Sequence, residues 1–218
     1  AVPFASRRRT HEQANRGLQP EGGSIMETFM QMSRLFAREW AIAPRSVGAI
    51  CPSSRRLAAQ LAREVPAGDG AVIELGAGTG AVTHALLANG VSSDRLIVVE
   101  RSAAFVRHLR ARFSNVPVMH ADAARLAHSL PLDLRVDAIV SCLPLLSLPR
   151  REAEAIVGQW RYVLRPGGVV VQFSYDIRPN RGVLHAGSDF SMLSSRIVWA
   201  NLPPARVVTM QLQAQRST

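Results

Sequence analysis

The chain contains little cysteine, few aromatic residues, no long apolar run and no lysine. It has 218 residues, of which two are cysteine (Cys51 and Cys142) and 6% are aromatic. Two cysteines are too few for a disulfide framework or a zinc cluster, and the six histidines show no ligand-like spacing. We therefore expect no metal. No apolar run reaches the roughly 18 residues of a bilayer-spanning helix.

All basic residues are arginine, and they outnumber the acidic residues by 26 to 16, which gives a net charge of +10. Codon composition explains the lack of lysine as well as any function does, whereas the positive excess predicts an anionic partner. Arginine binds phosphate through two hydrogen bonds, so nucleic acid and phospholipid are both candidates. The first ten residues lack the apolar stretch of a secretory signal, so we expect a cytoplasmic protein.

The first quarter of the chain differs in pattern from the rest. Residues 1–23 show no periodicity and are predicted to form a flexible basic tail. Residues 25–42 form an amphipathic helical pattern, which either packs on the protein's own core or lies in a bilayer interface. A second helix is predicted from Ser53 to Glu64, so that residues 24–64 form an N-terminal unit and residues 65–218 the main domain.

Strands and helices alternate through the main domain. Short apolar segments separated by helical patterns of about 10–15 residues indicate right-handed crossovers. We predict an α/β fold whose doubly wound, mostly parallel, seven-stranded sheet ends in a β-hairpin. The predicted strands are Ala71–Leu75, Leu96–Glu100, Val116–His120, Val136–Ser141, Gly168–Ser174, Arg196–Trp199 and Arg206–Gln211, and the predicted helices are Thr79–Leu87, Ser102–Phe113 and Arg150–Leu164.

The segment Val72-Ile-Glu-Leu-Gly-Ala-Gly-Thr-Gly80 runs from a buried strand through a glycine-rich turn into a helix. Glycines there let a ligand approach the backbone at a helix N-terminus. The segment alone also satisfies the dinucleotide-binding fingerprint. Glu100, at the end of the next strand, is placed to accept the hydroxyls of a ribose, and Asp122 to accept the amine of an adenine.

Together, the motifs E-L-G-A-G-T-G, H-A-D-A and L-R-P-G-G and the acidic end of the second strand resemble the class I S-adenosylmethionine (SAM) methyltransferases over residues 71–211. The resemblance implies a Rossmann-like fold with SAM as cofactor. It implies a methionine cradle at residues 74–80, a ribose contact at Glu100 and an adenine site at Asp122. The cofactor-binding residues so implied are Glu74, Gly76, Ala77, Gly78, Thr79, Gly80, Glu100, Arg101, Asp122, Ala123 and Ser141.

The fourth predicted strand ends in Ser141-Cys-Leu-Pro-Leu145. In methyltransferases that act on nitrogen, a short polar residue followed by a proline at this position offers hydrogen-bond acceptors to the amine. We predict that Ser141 and Leu143 are catalytic, through the Ser141 side chain and the backbone carbonyls that the proline leaves free. The alternative is that Pro144 only ends the strand.

Three further segments, Arg45–Ser54, Ser141–Leu146 and Trp199–Val207, resemble the bacterial phospholipid N-methyltransferases, in particular the soluble type related to ribosomal RNA adenine dimethyltransferases. The resemblance implies stepwise methylation of phosphatidylethanolamine toward phosphatidylcholine by a peripheral protein of the inner membrane, on a surface that includes anionic lipids. We expect a monomer. The resemblance places Gly48 and Ile50 over the cofactor and favours membrane contact for Phe29, Met32, Phe36 and Trp40.

The lipid head group needs a phosphate ligand and a contact for its amine. Arg178 and Arg181 are predicted to bind the phosphate, and Tyr175 is predicted to contact the ammonium or assist its deprotonation. Two other functions stay open, an RNA adenine methyltransferase and a non-catalytic membrane-binding protein with a vestigial pocket. Nucleic acid is disfavoured, because the RNA enzymes carry asparagine at the position of Ser141, an aromatic residue at that of Leu145, and a further helical domain.

Overall fold

The computed structural model describes residues 53–178 and 189–213. The predicted tail, the amphipathic helix with Phe29, Met32, Phe36 and Trp40, and the residues Gly48, Ile50 and Arg181 lie outside this part of the chain. Within residues 53–178 and 189–213, no helix is long and apolar enough to cross a bilayer.

One seven-stranded sheet organises the described residues, in the order β3-β2-β1-β4-β5-β7-β6. Strands β1 to β5 are parallel, whereas β7 is antiparallel to both of its neighbours. The strands are β1 (Ala71–Leu75), β2 (Leu96–Glu100), β3 (Val118–His120), β4 (Val136–Ser141), β5 (Leu164–Ser174), β6 (Phe190–Val198) and β7 (Ala205–Leu212), and the helices are α1 (Arg55–Arg63), α2 (Ala81–Ala88), α3 (Ala103–Arg112) and α4 (Arg150–Val163). The predicted doubly wound α/β fold is confirmed.

Helices cover both faces of the sheet because the central strands are apolar on both sides. On one face, α1, α2 and α3 bury residues such as Leu57, Leu86 and Leu109 against the sheet. On the other face, α4 buries Trp160 and Ile156. Helix α1 therefore shares the core of the main domain.

Several boundaries differ from the prediction. Helix α1 is capped by Ser54, whose Oγ accepts the N–H of Leu57 at 3.2 Å, so Ser53 is not the cap. Strand β3 begins at Val118, two residues later than predicted. Strand β5 begins at Leu164, four residues earlier than predicted, and its pairing with β4 shifts register before Val169, so the L-R-P-G-G segment forms a bulge inside the strand. Strand β6 begins at Phe190 and is longer than the prediction from Arg196.

A further short helix, of the 3-10 type, spans Ala123–Ser129 and was not predicted. Asp122 caps it by accepting the N–H of Ala124 at 2.9 Å. Its other end is tied to α4, because the side-chain oxygen of Gln159 accepts the N–H of Ala127 at 2.9 Å. This 3-10 helix therefore lies beside α4, on the same face of the sheet.

Candidate active site

The site lies where the strand order reverses, between the neighbouring strands β1 and β4. In doubly wound sheets, ligands bind at such a point, outside the carboxyl ends of the strands. The chain segments after β1 and β4 touch here: the N–H of Cys142 donates to the carbonyl of Leu75 at 2.8 Å. The predicted glycine-rich segment and the predicted Ser141–Leu145 segment are thus adjacent in space.

The three glycines of this turn have positive φ angles and different surroundings. A Cβ on Gly76 would collide with the side chain of Leu143, and one on Gly80 would lie 2.5 Å from Cε2 of Phe113. A Cβ on Gly78 would meet nothing within 4 Å. Packing therefore excludes side chains at Gly76 and Gly80, while Gly78 faces the open space that a ligand needs.

Glu100 holds the glycine-rich turn in place. One carboxylate oxygen accepts the N–H of Gly78 at 3.0 Å, and the other accepts the N–H of Ser102 at 2.8 Å. The predicted ribose ligand therefore also organises the backbone that surrounds the ligand. Each oxygen keeps a second lone pair, which leaves Glu100 able to accept from a ribose hydroxyl.

Glu74 lies beneath the turn and is fully buried. The pKa of Glu74 is raised from 4.5 to about 7, chiefly by burial and less by the charge of Glu100, against a lowering by the hydrogen bonds from Thr83. One of these bonds joins Thr83 Oγ1 to the carboxylate at 2.6 Å. Burial and the same two carboxylates raise the pKa of Cys142 well above its ordinary value, so its thiol stays neutral. Two acidic side chains close to the turn suit a cationic ligand such as a sulfonium.

The loop after β4 carries a carbonyl group with a defined orientation. Gln172, on β5, donates its side-chain N–H to the carbonyl oxygen of Leu143 at 3.0 Å and to that of Phe173 at 2.5 Å. Leu143 precedes Pro144, and its carbonyl is one of those predicted to be free for the amine. It also accepts the N–H of Leu145 at 2.9 Å, so both of its lone pairs are occupied and the carbonyl is not free. Gln172 is a site residue that the sequence analysis missed.

Two buried polar atoms beside this carbonyl have no hydrogen-bond partner among the described residues, namely Ser141 Oγ and Gln172 Oε1. Their residues are register partners on β4 and β5. A buried hydroxyl without a partner is costly, so these atoms are suited to polar groups that a bound ligand or water would bring. Ser141 is fully buried.

The remaining predicted cofactor residues line the same edge of the sheet. Ala77 and Thr79 lie in the glycine-rich turn and are buried, and the Thr79 carbonyl accepts from Arg112 at 2.8 Å. Asp122 and Ala123 follow β3, where Asp122 acts as a helix cap. The side chain of Arg101 points to Glu152, at 2.9 Å, and is exposed. Within residues 53–178 and 189–213, no cluster of metal-ligating side chains is present.

Of the predicted head-group residues, the structure describes Tyr175 and Arg178. Tyr175 is half-buried and packs edge-on against Phe173, with 5.3 Å between the ring centroids. Arg178 is exposed and forms two hydrogen bonds to the carboxylate of Asp176, at 2.8 and 2.6 Å. Arg178 must exchange this carboxylate for a phosphate if it binds a lipid head group.

Comparison with known proteins identifies the class. A family model described as "Methyltransferase domain" matches residues 72–168. An ornithine lipid N-methyltransferase of Singulisphaera acidiphila is 33% identical over 157 residues, which cover 69% of this chain and 79% of that protein.

Solved structures share the fold at low sequence identity. The N-methyltransferase NodS of Bradyrhizobium japonicum, in complex with S-adenosyl-L-homocysteine, superposes with a TM-score of 0.62 at 15% identity, covering 86% of this chain and 99% of that chain. TrmN of Thermus thermophilus superposes with a TM-score of 0.60 at 19% identity, covering 77% and 51%.

The fold and the glycine-rich turn define a class I methyltransferase, and its cofactor is SAM. The chain belongs to the SAM-dependent methyltransferase family, with a lipid N-methyltransferase among its relatives. The site fits the cofactor, because Gly78 opens on free space and acidic side chains lie beside it. Glu74, the turn Gly76–Gly80, Glu100 and Asp122 are the residues that would hold it.

Proposed function

We propose that this enzyme transfers methyl groups to the primary amine of a membrane lipid, with phosphatidylethanolamine as the substrate and methylation proceeding stepwise toward phosphatidylcholine. The observation that carries the proposal is the contact between the cofactor turn and the loop after β4, next to two buried acceptors without a partner among the described residues, Ser141 Oγ and Gln172 Oε1. Gly76 packs against Leu143, whose carbonyl is held by Gln172. The resemblance of residues 141–146 to phospholipid N-methyltransferases and the identity to a lipid N-methyltransferase support a lipid amine.

The cofactor supplies an electrophilic methyl group on a sulfonium. The chain's own contribution is placement, which accelerates an in-line displacement without other catalytic groups. Both lone pairs of the Leu143 carbonyl are taken, by Gln172 and by the N–H of Leu145. The acceptors proposed for the N–H groups of the neutral amine are therefore Ser141 Oγ and Gln172 Oε1, which have no partner among the described residues. Because a free aliphatic amine has a pKa of about 10, the amine loses a proton to water or a base before it reacts.

Ornithine lipid is the second candidate substrate, because the relative from Singulisphaera acidiphila is named for it. Ornithine, like phosphatidylethanolamine, presents an aliphatic amine near an anionic group. The difference lies in the anion, which is a carboxylate in one lipid and a phosphodiester in the other. Tyr175 and Arg178, at the end of β5, are the described residues proposed to distinguish the two head groups.

Methyl transfer from labelled SAM to vesicles tests the proposal. Vesicles carry phosphatidylethanolamine, ornithine lipid, or neither, and the lipid extract is counted and resolved by mass. We expect label in phosphatidylethanolamine and its methylated products. Label in ornithine lipid alone would show that ornithine lipid, and not phosphatidylethanolamine, is the substrate. Label in added RNA but in no lipid would overturn the proposal. Gly78→Val, whose side chain occupies the cofactor space and strains a turn of positive φ, is the inactive control, and its fold is checked by circular dichroism.

A further inference from the structure

We infer that the tip of the β6–β7 hairpin, residues 199–204, is a docking surface for the lipid bilayer and lies on the edge of the sheet that carries the active site. The inference rests on the proposed lipid substrate. It adds a second contact site to the amphipathic helix that the sequence analysis predicts, built from different residues. Trp199 is 69% exposed and Leu202 is 87% exposed.

Topology places this tip beside the cofactor turn. Strand β7 is antiparallel to β5 and to β6, so β6 runs in the direction of β1 and ends at the same edge of the sheet. The order β1-β4-β5-β7-β6 puts the hairpin three to four strands from β1. At about 4.8 Å between strands, that is roughly 14–19 Å along the edge. A bilayer that meets the tip therefore also lies over the site.

The tip is an ordered part of the molecule. Asn201 is 4% exposed, and its side chain donates to the carbonyl of Pro203 at 2.7 Å. Its side-chain oxygen accepts the N–H of Ser54 at 3.2 Å, which ties the tip to the start of α1. The apolar side chains of Trp199 and Leu202 are thus presented by a fixed turn.

The charge next to the tip favours a lipid surface over a second copy of the chain. Arg55 and Arg56 directly follow Ser54, are exposed, and form no ion pair within residues 53–178 and 189–213. Arginine beside tryptophan and leucine is the composition of interfacial segments, in which the ring enters the interface and the cation meets anionic head groups. Two copies joined through this surface would instead bring four arginines together.

Vesicle binding with matched variants tests the docking surface. The vesicles are equimolar phosphatidylcholine and phosphatidylglycerol, which contain no amine to methylate, and binding is measured by sedimentation. We expect Trp199→Ala with Leu202→Ala to weaken binding about tenfold or more. The control pair is Leu132→Ala with Tyr162→Ala, which removes similarly exposed side chains near the opposite edge and leaves binding unchanged. Equal binding by the tip variant and the wild type would overturn the inference.

Tryptophan fluorescence tests the contact directly. In the Trp40→Phe background, the remaining tryptophans are the buried Trp160 and the exposed Trp199. We expect vesicles to shift the emission to the blue and brominated acyl chains to quench it, and the effect to vanish in Trp199→Phe. The emission of Trp199 is taken as the difference from Trp199→Phe, because the buried Trp160 emits in the blue in any case. A Trp199 emission already blue-shifted without vesicles, or one that depends on protein concentration, would show that the chain or a second copy covers the tip, and would overturn the inference.

The outcomes separate this inference from the proposed function. Both vesicle experiments are done without turnover, so docking is measured even if no lipid amine accepts a methyl group. Loss of docking in the tip variant without any methyl transfer to lipid by the wild type would refute the substrate and keep the docking surface. If the wild type methylates lipid and the tip variant still binds vesicles normally, the lipid substrate is kept and the docking surface is refuted.

Discussion

Glu100→Gln separates the two roles of this carboxylate, because one of them exists without cofactor. In the folded chain both carboxylate oxygens accept backbone N–H groups, from Gly78 and Ser102. Glutamine has one oxygen and one NH₂ group, so in either orientation an N–H donor faces another donor. A hydrogen bond to a charged group contributes about 1.5–3 kcal/mol, and a buried donor left without a partner costs a similar amount.

The expected result is a cofactor-free protein destabilised by about 1.5–3 kcal/mol. For a chain of this size, that lowers the melting temperature by about 3–12 °C. SAM affinity should fall as well, because the turn around Gly78 loses its fixed shape. Differential scanning calorimetry without cofactor and titration calorimetry with it are the two measurements.

Asp122→Asn is the matched control for this experiment. Asparagine caps a helix about as well as aspartate, so the cofactor-free melting temperature should stay nearly constant while adenine contacts change. A Glu100→Gln protein that melts like the wild type without SAM, yet binds SAM weakly, would refute the organising role. The carboxylate would then serve the ligand alone.

Four further changes have defined outcomes. The pKa of Glu74 is raised from 4.5 to about 7, chiefly by burial. Its contribution to stability is therefore full below about pH 4.5 and is lost as the pH rises through about 7. Glu74→Gln should remove this loss, which amounts to about 2–3 kcal/mol between pH 5 and pH 8 in urea unfolding. Burial alone would raise the pKa of Asp137, but the hydrogen bonds from Arg165 and Gly70 and the charges of Arg165 and Arg135 lower it. Its contribution is therefore present above about pH 4 and lost in acid; Asp137→Asn should cost about 3–5 kcal/mol in denaturant titrations at neutral pH, whereas the exposed Asp69→Asn should cost less than about 1. Gly78→Val should abolish SAM binding in calorimetry, because its side chain fills the open space beside the turn and strains a backbone of positive φ, and retained binding would place the ligand elsewhere. Gln172→Glu should lose methyl transfer relative to the wild type as the pH rises, since only the protonated side chain can donate to the Leu143 carbonyl, with SAM affinity unchanged; a parallel pH profile would contradict this positioning role.

The sequence predicts the parallel core well because the strands that build it are apolar on both faces. Strand β1 is buried along its whole length, and the glycine-rich turn after it is specified locally by its positive φ angles. The sharp change from an apolar strand to glycines therefore locates the cofactor site without tertiary information. The acidic end of β2 locates Glu100 in the same way.

Other parts depend on contacts that no local pattern encodes. Strand β6 is at the edge of the sheet and half exposed, so its first residues lack the apolar alternation that marks a strand. Gln172 lies in an apolar strand, and its role depends on the Leu143 carbonyl, 29 residues away in sequence. A polar residue within that strand was the available signal. Likewise, the pairing of Asp176 with Arg178 is visible only once the loop has its shape.

The contact between Leu143 and Gly76 couples the loop after β4 to the glycine-rich turn, so a mutation in one of these surfaces affects the other. In the proposed mechanism, one surface binds the methyl donor and the other binds the amine, and Leu143 contacts the first while it belongs to the second. A larger or smaller residue at position 143, selected for a different methyl acceptor, would also change the packing against Gly76 in the cofactor-binding turn. Changes in substrate preference among relatives of this enzyme should therefore occur at the end of β5 and in the neighbouring loop, because the side chains described there do not also contact the cofactor-binding turn.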